Sequence, residues 1–199
     1  MESDITQRVL ERISQKREYK KQFTDLINEF ESKFEAFNPV KNCFEISACF
    51  TSGKGDAKKK LLENGLISKH WLRDYETRNG KLKNDFQGLY VFVSGDVPFY
   101  VGISRGVIGR IDQHLKGRSH NTSTLAYNIG IIRHELISGK KYTGTRDGFD
   151  FVSGVEPAKE FLRKQKIALI HIENTEELYL FEIFCAMKLR CWLNSFETH

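Results

Sequence analysis

The sequence predicts a fold of the α+β class, because short segments of alternating hydrophobicity stand beside longer segments with helical spacing. Residues 88–94 and 99–104 alternate like two strands separated by turn residues, which predicts a hairpin. Residues 174–191 are apolar over a length that suits a helix. With 40% hydrophobic residues and 15 Phe among its 199 residues, the chain can bury a sizeable core.

The first predicted element is one long amphipathic helix over residues 5–37, which Asn38 and Pro39 end. Its apolar positions are Val9, Ile13, Phe23, Ile27, Phe30 and Phe34. The leading interpretation is that the Phe stripe packs on the rest of the molecule. A short coiled-coil contact in a dimer and an arm that grips a nucleic-acid backbone are the alternatives.

The next segment is predicted to be a strand over residues 42–50, a loop over residues 51–56 and then a basic stretch. Residues 54–83 contain nine Lys and Arg residues against four acidic residues. This excess favours a nucleic-acid surface. Trp71 and Tyr75 could stack on bases there, although anchoring to the core is the expected role for at least one of them.

The remaining elements follow from capping residues and spacing. A helix is expected over residues 106–116 with Gly117 at its C-cap, and a second over residues 124–136. A long loop or hairpin is expected over 138–158 and a strand over 166–173. Asn174 should cap the last helix, with Glu177 at the capping-box position.

Composition excludes several classes of protein. The N-terminus has no apolar signal region and no apolar run approaches a membrane span, so we expect a cytoplasmic protein without a membrane partner. The net charge of +5 is compatible with nucleic acid. The four cysteines, at 43, 49, 185 and 191, lack a usual zinc spacing and are expected to be reduced thiols.

Candidate functional residues occur on consecutive elements. Tyr90 and Tyr100 lie ten residues apart on the predicted hairpin, and Arg110 and His114 share one face of the next helix. These groups are polar, protonatable and cationic, which is what a phosphodiester site requires. Glu182 is the only charged side chain between residues 177 and 188 in an apolar helix. A buried carboxylate must be protonated, paired with an arginine such as Arg110, or bound to a divalent cation.

These positions resemble a known family. Gly88-Leu89-Tyr90 and Tyr100-Val101-Gly102 are similar to the paired motifs of the GIY-YIG nuclease superfamily. The order of elements also matches, and the resemblance covers about residues 86–196. The positions that resemble the family's other site residues are Arg110, His114, Glu182 and Asn194.

The resemblance implies a compact domain over residues 86–199, with a small, three-stranded, mostly antiparallel sheet flanked by helices. It also implies metal-dependent hydrolysis of DNA, with one Mg²⁺ or Mn²⁺ per active site held by Glu182. Arg110 would bind phosphate oxygens, and Tyr90 or Tyr100 would orient or deprotonate the attacking water. His114 would accept the proton of the tyrosine or only hydrogen-bond it. Asn194 falls within the catalytic set, with bracing of the helix end as its expected role.

The chain departs from the family at Ile103, where many members carry Lys, and Arg105 could supply that charge. Residues 1–85 match no family module and are expected to form a helical and basic extension that grips DNA or contacts a second copy in a homodimer. The basic residues expected to contact double-stranded DNA are Lys58, Lys59, Lys60, Arg73, Arg105, Lys116 and Arg118.

The expected function is therefore a DNA endonuclease, with a restriction-type enzyme as the leading subclass. The alternatives are a homing, repair, mobile-element or phage-defence nuclease, cleavage of RNA instead of DNA, and a catalytically silent nucleic-acid-binding module of the same fold.

Overall fold

The computed structural model describes residues 2–15, 21–50, 56–77 and 79–194. Within these ranges the chain has an α+β fold with eight α-helices and six strands. The helices are α1 (Glu2–Ser14), α2 (Phe23–Phe37), α3 (Ile46–Cys49), α4 (Ala57–Glu63), α5 (Val107–Lys116), α6 (Thr124–Ser138), α7 (Glu156–Arg163) and α8 (Thr175–Leu189). The strands are β1 (Phe44–Glu45), β2 (Arg73–Glu76), β3 (Leu82–Asp85), β4 (Gly88–Ser94), β5 (Val97–Ser104) and β6 (Lys166–His171).

The main sheet is small and antiparallel, with strand order β1-β6-β4-β5. The three expected strands are present, and the two-residue strand β1 adds a fourth by pairing with β6. The predicted strand over 42–50 is wrong beyond Glu45, because Ile46 to Cys49 form a helical turn. A short apolar run does not by itself distinguish a strand from a buried helical turn. Strands β2 and β3 form a separate two-stranded ribbon.

Helices cover both faces of the main sheet. On one face, Leu89, Val91 and Val93 pack in a cluster with α2 and α8. On the other face, Tyr90 and Phe92 pack in a cluster with the helices from α3 to α7. Because side chains alternate along a strand, β4 sends its motif tyrosine toward α5 and its aliphatic residues toward α8. Residues from the expected N-terminal extension, 1–85, and from the expected domain, 86–199, contribute to both clusters.

The prediction of one continuous N-terminal helix over 5–37 is wrong. Helix α1 ends at Ser14, and Gln22 has extended backbone angles before α2 begins. Lys16 and Lys20, where the sequence pattern is interrupted, lie outside the described residues. Of the apolar stripe, Phe30 is buried and packs 5.2 Å from Phe181 between ring centroids, Ile27 and Phe34 are partly buried, and Val9, Ile13 and Phe23 are exposed.

Helix α8 begins as predicted, since the Asn174 side chain accepts a hydrogen bond from the Glu177 amide. Although its sequence is apolar nearly all round, this helix is not buried on every side. Its inner face is buried in the core, whereas Tyr179, Ile183 and Met187 are exposed. Glu182 lies between these two faces and is partly buried.

The expected loop or hairpin over 138–158 is only partly correct. No hairpin occurs there, and a π-helical turn over Phe151–Val155 leads directly into α7. Two cations of α7, just beyond the predicted loop, bind α5. Lys159, although buried, donates to the carbonyl of Gly117, and Arg163 donates to the carbonyl of Leu115 at 2.6 Å. Both cations stabilise the carbonyl end of α5.

All four cysteines are free thiols, and three of them are buried. Among the described helices, none combines the length and the hydropathy that a membrane crossing would require.

Candidate active site

The two tyrosines lie on neighbouring strands of the β4–β5 hairpin, where Tyr90 is paired with Gly102 and Tyr100 with Phe92. Gly102 is required by packing, because a Cβ at that position would overlap the Tyr90 ring. Gly88 faces a similar constraint, since its Cβ would overlap the carbonyl of Ile170 on β6. The glycines of both motifs therefore allow close packing around the tyrosines.

Tyr90 and His114 form a buried polar pair. The Tyr90 hydroxyl lies 2.8 Å from Nε2 of His114, and both side chains are almost completely excluded from solvent. The Tyr100 ring packs against both, 6.3 Å from the Tyr90 ring and 5.9 Å from the His114 ring between centroids. The structure thus brings together three of the residues that the sequence singled out.

Helix α5 is positioned by a residue that the sequence analysis missed. The buried carboxylate of Asp85 accepts hydrogen bonds from the amides of Phe86 at 2.7 Å, Ile108 at 3.1 Å and Gly109 at 2.9 Å. It therefore binds amides in the first turn of the helix, which have no partner within the helix. Asp85 is distant in sequence from the amides of α5, so no local capping pattern could reveal it. Arg110 and His114 depend on this anchor for their position.

Arg110 lies on α5 one turn before His114. Its Nη1 donates to Oε1 of Gln113 at 3.0 Å and to the carbonyl of Thr122 at 3.2 Å. The guanidinium therefore has a fixed orientation. The positive charge of Arg110 acts on the buried cluster. It opposes the increase in the pKa of Tyr90 and contributes to the lowered pKa of His114.

Glu182 lies on α8, the helix that packs against β5. Within the described part of the chain its carboxylate has no hydrogen bond and no ion pair, so the predicted alternative of a salt bridge to Arg110 is not found. Desolvation by burial raises the pKa of Glu182 to about 7. Its negative charge in turn contributes to the raised pKa values of Tyr90 and Tyr100.

Desolvation sets the protonation states of the neutral groups. It raises the pKa of Tyr90 well above its usual value and raises that of Tyr100 as well. It lowers the pKa of His114 to about 3. At neutral pH both phenols and the imidazole are therefore uncharged, and Nδ1 of His114 is buried without a partner among the described residues.

The fit of a divalent metal to this site depends on the carboxylates that it offers. No group of three or more His, Cys, Asp or Glu side chains is placed to hold an ion in residues 2–15, 21–50, 56–77 and 79–194. An unpaired carboxylate still fits Mg²⁺, which is often held by one or two carboxylates with water and substrate phosphate as its other ligands. A cation would also remove the cost of ionising Glu182 in its partly buried position. Glu182 is the residue that could hold such an ion.

Asn194 does not point into the cluster. Its Oδ1 accepts from the amide of Val101 at 2.8 Å, and its Nδ2 donates to the carbonyl of Val101 at 2.7 Å. Both polar ends of this side chain thus bind the outer edge of β5, beside Tyr100. Asn194 positions strand β5, whereas the sequence analysis expected it to brace the end of the helix.

The expected DNA-binding residues fall into two groups. Four of them have protein partners. Lys58 donates to Asn84 at 3.2 Å and Arg73 to Gln87 at 2.6 Å. Lys59 pairs with Glu63 at 3.7 Å and Lys116 with Asp112 at 2.8 Å.

The second group consists of Lys60, Arg105 and Arg118. Their side chains have no hydrogen-bond or ion-pair partner in the described part of the chain, and Arg105 and Arg118 are exposed. Arg105 follows β5 directly, so its charge lies one residue from the end of the strand that carries Tyr100. Trp71 has an anchoring role, since its ring packs 5.4 Å from Phe86 and 5.9 Å from His171.

Comparisons of the chain with family models, characterised proteins and solved structures returned no significant match.

Proposed function

We propose that this chain is a divalent-metal-dependent DNA endonuclease of the GIY-YIG type. The observation that carries the proposal is Glu182, a partly buried carboxylate that has no partner among the described residues and whose charge acts on Tyr90 and Tyr100. A purely structural carboxylate at such a position would be expected to have a partner, because ionising it unpaired costs free energy.

Arg110 has the role of binding the non-bridging oxygens of the scissile phosphate. Its planar guanidinium matches phosphate geometry, and its contacts with Gln113 and Thr122 fix its orientation before the substrate arrives. A fixed donor stabilises the developing charge without reorganising during the reaction.

Tyr100 has the role of orienting the attacking water, because it retains partial exposure whereas Tyr90 is 1% exposed. The Tyr90 hydroxyl is hydrogen-bonded to His114, and the Tyr90 ring packs against Tyr100. With a pKa of about 3, His114 is a poor proton acceptor, so it acts by holding Tyr90 in place.

Glu182 would hold the metal ion through its carboxylate. When bound, the ion would stabilise negative charge on the phosphate and on the leaving oxygen. Because the pKa of Glu182 is about 7, protons compete with the metal at this carboxylate, and the metal should bind more tightly as the pH rises through 7.

The direct experiment is incubation of supercoiled plasmid with the protein and Mg²⁺, Mn²⁺ or EDTA, followed by sequencing of the ends. The wild type should nick or cut the plasmid only with metal. Glu182→Gln and Arg110→Ala should each lose about 100-fold or more in rate, since removal of one such group costs roughly 3–4 kcal/mol. Glu35→Gln, an exposed change on α2, is the matched control for charge removal and should cut normally.

Two results would count against the proposal. Cleavage by Glu182→Gln at the wild-type rate would remove the metal role of this carboxylate. Binding of DNA by the wild type without any metal-dependent cleavage would instead favour the alternative function, a silent nucleic-acid-binding module.

A further inference from the structure

The two-stranded ribbon of β2 and β3 is separate from the main sheet and has two different faces. In an antiparallel pair, directly opposed residues lie on the same face. The register pairs Arg73 with Asp85 and Tyr75 with Lys83 on one face, and pairs Asp74 with Asn84 and Glu76 with Leu82 on the other.

The first face is fixed to the rest of the molecule. Asp85 binds the amides of α5, and Arg73 donates to Gln87 at 2.6 Å. Tyr75 packs so closely on Gly106 that a Cβ there would overlap its hydroxyl. An isolated hairpin is marginally stable in water, so these contacts are what holds the ribbon in place.

The second face is free. Asp74, Glu76, Leu82 and Asn84 are exposed, with Leu82 at 79%. The only described contacts on this face are a hydrogen bond from Asn84 to Asp74 at 2.8 Å and one from Lys58 to Asn84 at 3.2 Å. Leu82, the apolar side chain on this otherwise polar face, is too exposed to contribute to the core.

We propose that this free face reads base pairs in the major groove of double-stranded DNA, an inference that rests on DNA as the substrate in the proposed function. The major groove is about 12 Å wide and admits a two-stranded ribbon. Strands of four residues span about 13 Å, or roughly four base pairs along the duplex.

The chemistry of the free face suits base edges better than phosphates. A surface that only grips the backbone would be basic, whereas this face carries Asp74 and Glu76. A carboxylate is repelled by phosphate and by the acceptor edges of guanine and thymine, but it can accept from the amino group of cytosine. Leu82 can contact the methyl group of thymine, and Lys58 beside the ribbon supplies a cation for the flanking backbone.

The anchoring also predicts where the bases are read. Asp85, the last residue of β3, binds the Gly109 amide, next to Arg110 in the chain. The ribbon and the phosphate-binding arginine thus belong to one connected unit. The recognised base pairs should therefore lie close to the cleaved bond.

The test is cleavage of a library of randomised DNA duplexes, with sequencing of the cut sites. The ribbon variant is Glu76→Gln with Leu82→Ala, which leaves every anchoring residue intact. The matched control is Glu35→Gln with Leu136→Ala, because Leu136 on α6 is 81% exposed and Leu82 is 79% exposed. Circular dichroism confirms that both variants fold.

Wild type and control should share a base preference near the cut, and the ribbon variant should lose about tenfold or more of that preference per contacted base pair. Its cleavage rate on a non-preferred duplex should remain near that of the wild type. On duplex RNA, the ribbon variant should behave like the wild type, because the deep, narrow major groove of RNA excludes the ribbon in both.

Three outcomes separate this inference from the proposed function. Unchanged base preference in the ribbon variant, or cleavage by the wild type without any preference, would overturn base reading and leave the nuclease standing. If the wild type does not cut, selection of bound duplexes replaces selection of cut ones. If the preference among bound duplexes depends on the ribbon, base reading is supported without the nuclease function. If the wild type does not bind DNA, both proposals are overturned.

Discussion

The Tyr90 hydroxyl and Nε2 of His114 lie 2.8 Å apart, and neither side chain is accessible to bulk water. A hydrogen bond in such a place is strong, and the same desolvation, together with the nearby charge of Arg110, lowers the pKa of His114 and keeps the ring neutral. The pair therefore behaves as a neutral structural unit beneath Tyr100.

The first prediction concerns acid stability. The pKa of His114 is lowered from 6.5 to about 3 in the folded protein, so the unfolded chain binds more protons between these values, and stability falls as the pH falls from 6.5 toward 3. His114→Gln retains a hydrogen-bonding group without this titration. When the pH falls from 7 to 4, the wild type should lose about 3 kcal/mol more of its free energy of unfolding than His114→Gln does.

Urea unfolding at both pH values measures this difference, with His70→Gln, a change at an exposed histidine, as the control. Parallel pH dependence in wild type and His114→Gln would contradict the buried, neutral assignment.

Glu182 should show the opposite pH dependence. Its pKa is raised from 4.5 to about 7, so the folded state binds more protons in that window and stability falls as the pH rises through it. At pH 8 Glu182→Gln should be more stable than the wild type by about 1–3 kcal/mol, after allowance for the partial exposure of Glu182, and the difference should vanish toward pH 4.5.

Metal binding gives a separate test of Glu182. At pH 8, Mg²⁺ should raise the melting temperature of the wild type and leave that of Glu182→Gln unchanged. Equal responses to Mg²⁺ would remove Glu182 as a ligand.

The third prediction concerns the close packing at Gly102. Gly102→Ala places a methyl group inside the Tyr90 ring, so the strand or the ring must move, at a cost of about 1–3 kcal/mol. Gly109→Ala is the control, because its Cβ would meet Asp85 at an ordinary 3.5 Å and alanine favours the helix. Thermal unfolding should show opposite shifts for the two variants. A neutral Gly102→Ala would mean that Tyr90 does not lie over this strand.

Asn194 gives the fourth prediction. Asn194→Ala removes both hydrogen bonds to Val101, which should destabilise the protein by about 1–3 kcal/mol and speed hydrogen exchange at the Val101 amide. Because Tyr100 precedes Val101, the kcat for DNA cleavage should fall while KM changes little. If exchange at Val101 stays slow, another group holds the edge of β5.

Local signals predicted the part of the fold that holds the tyrosines. The alternation over β4, the turn after it and the Asn174 cap are short-range patterns, and each agrees with the structure. Spacing also placed Tyr90, Tyr100 and His114 correctly on elements that meet. These features depend on residues within one or two turns of each other.

The features that the sequence did not reveal depend on distant residues. Asp85 caps α5 from the end of another strand, and Lys159 and Arg163 on α7 bind carbonyls at the end of α5. The two faces of α8 also depend on which neighbours cover it. No pattern within a single segment encodes such contacts, and the partner of Glu182 could not be chosen from its own helix.

The strand order has a consequence for synthesis of the protein. Strand β6 lies between β1 and β4 in the sheet, although it is the last strand in the chain. While the ribosome is still making residues 105–165, the inner edges of β1 and β4 have no partner and remain able to pair with other chains. The sheet can close only after His171 has emerged from the ribosome, so the core cannot finish folding before β6 has been made.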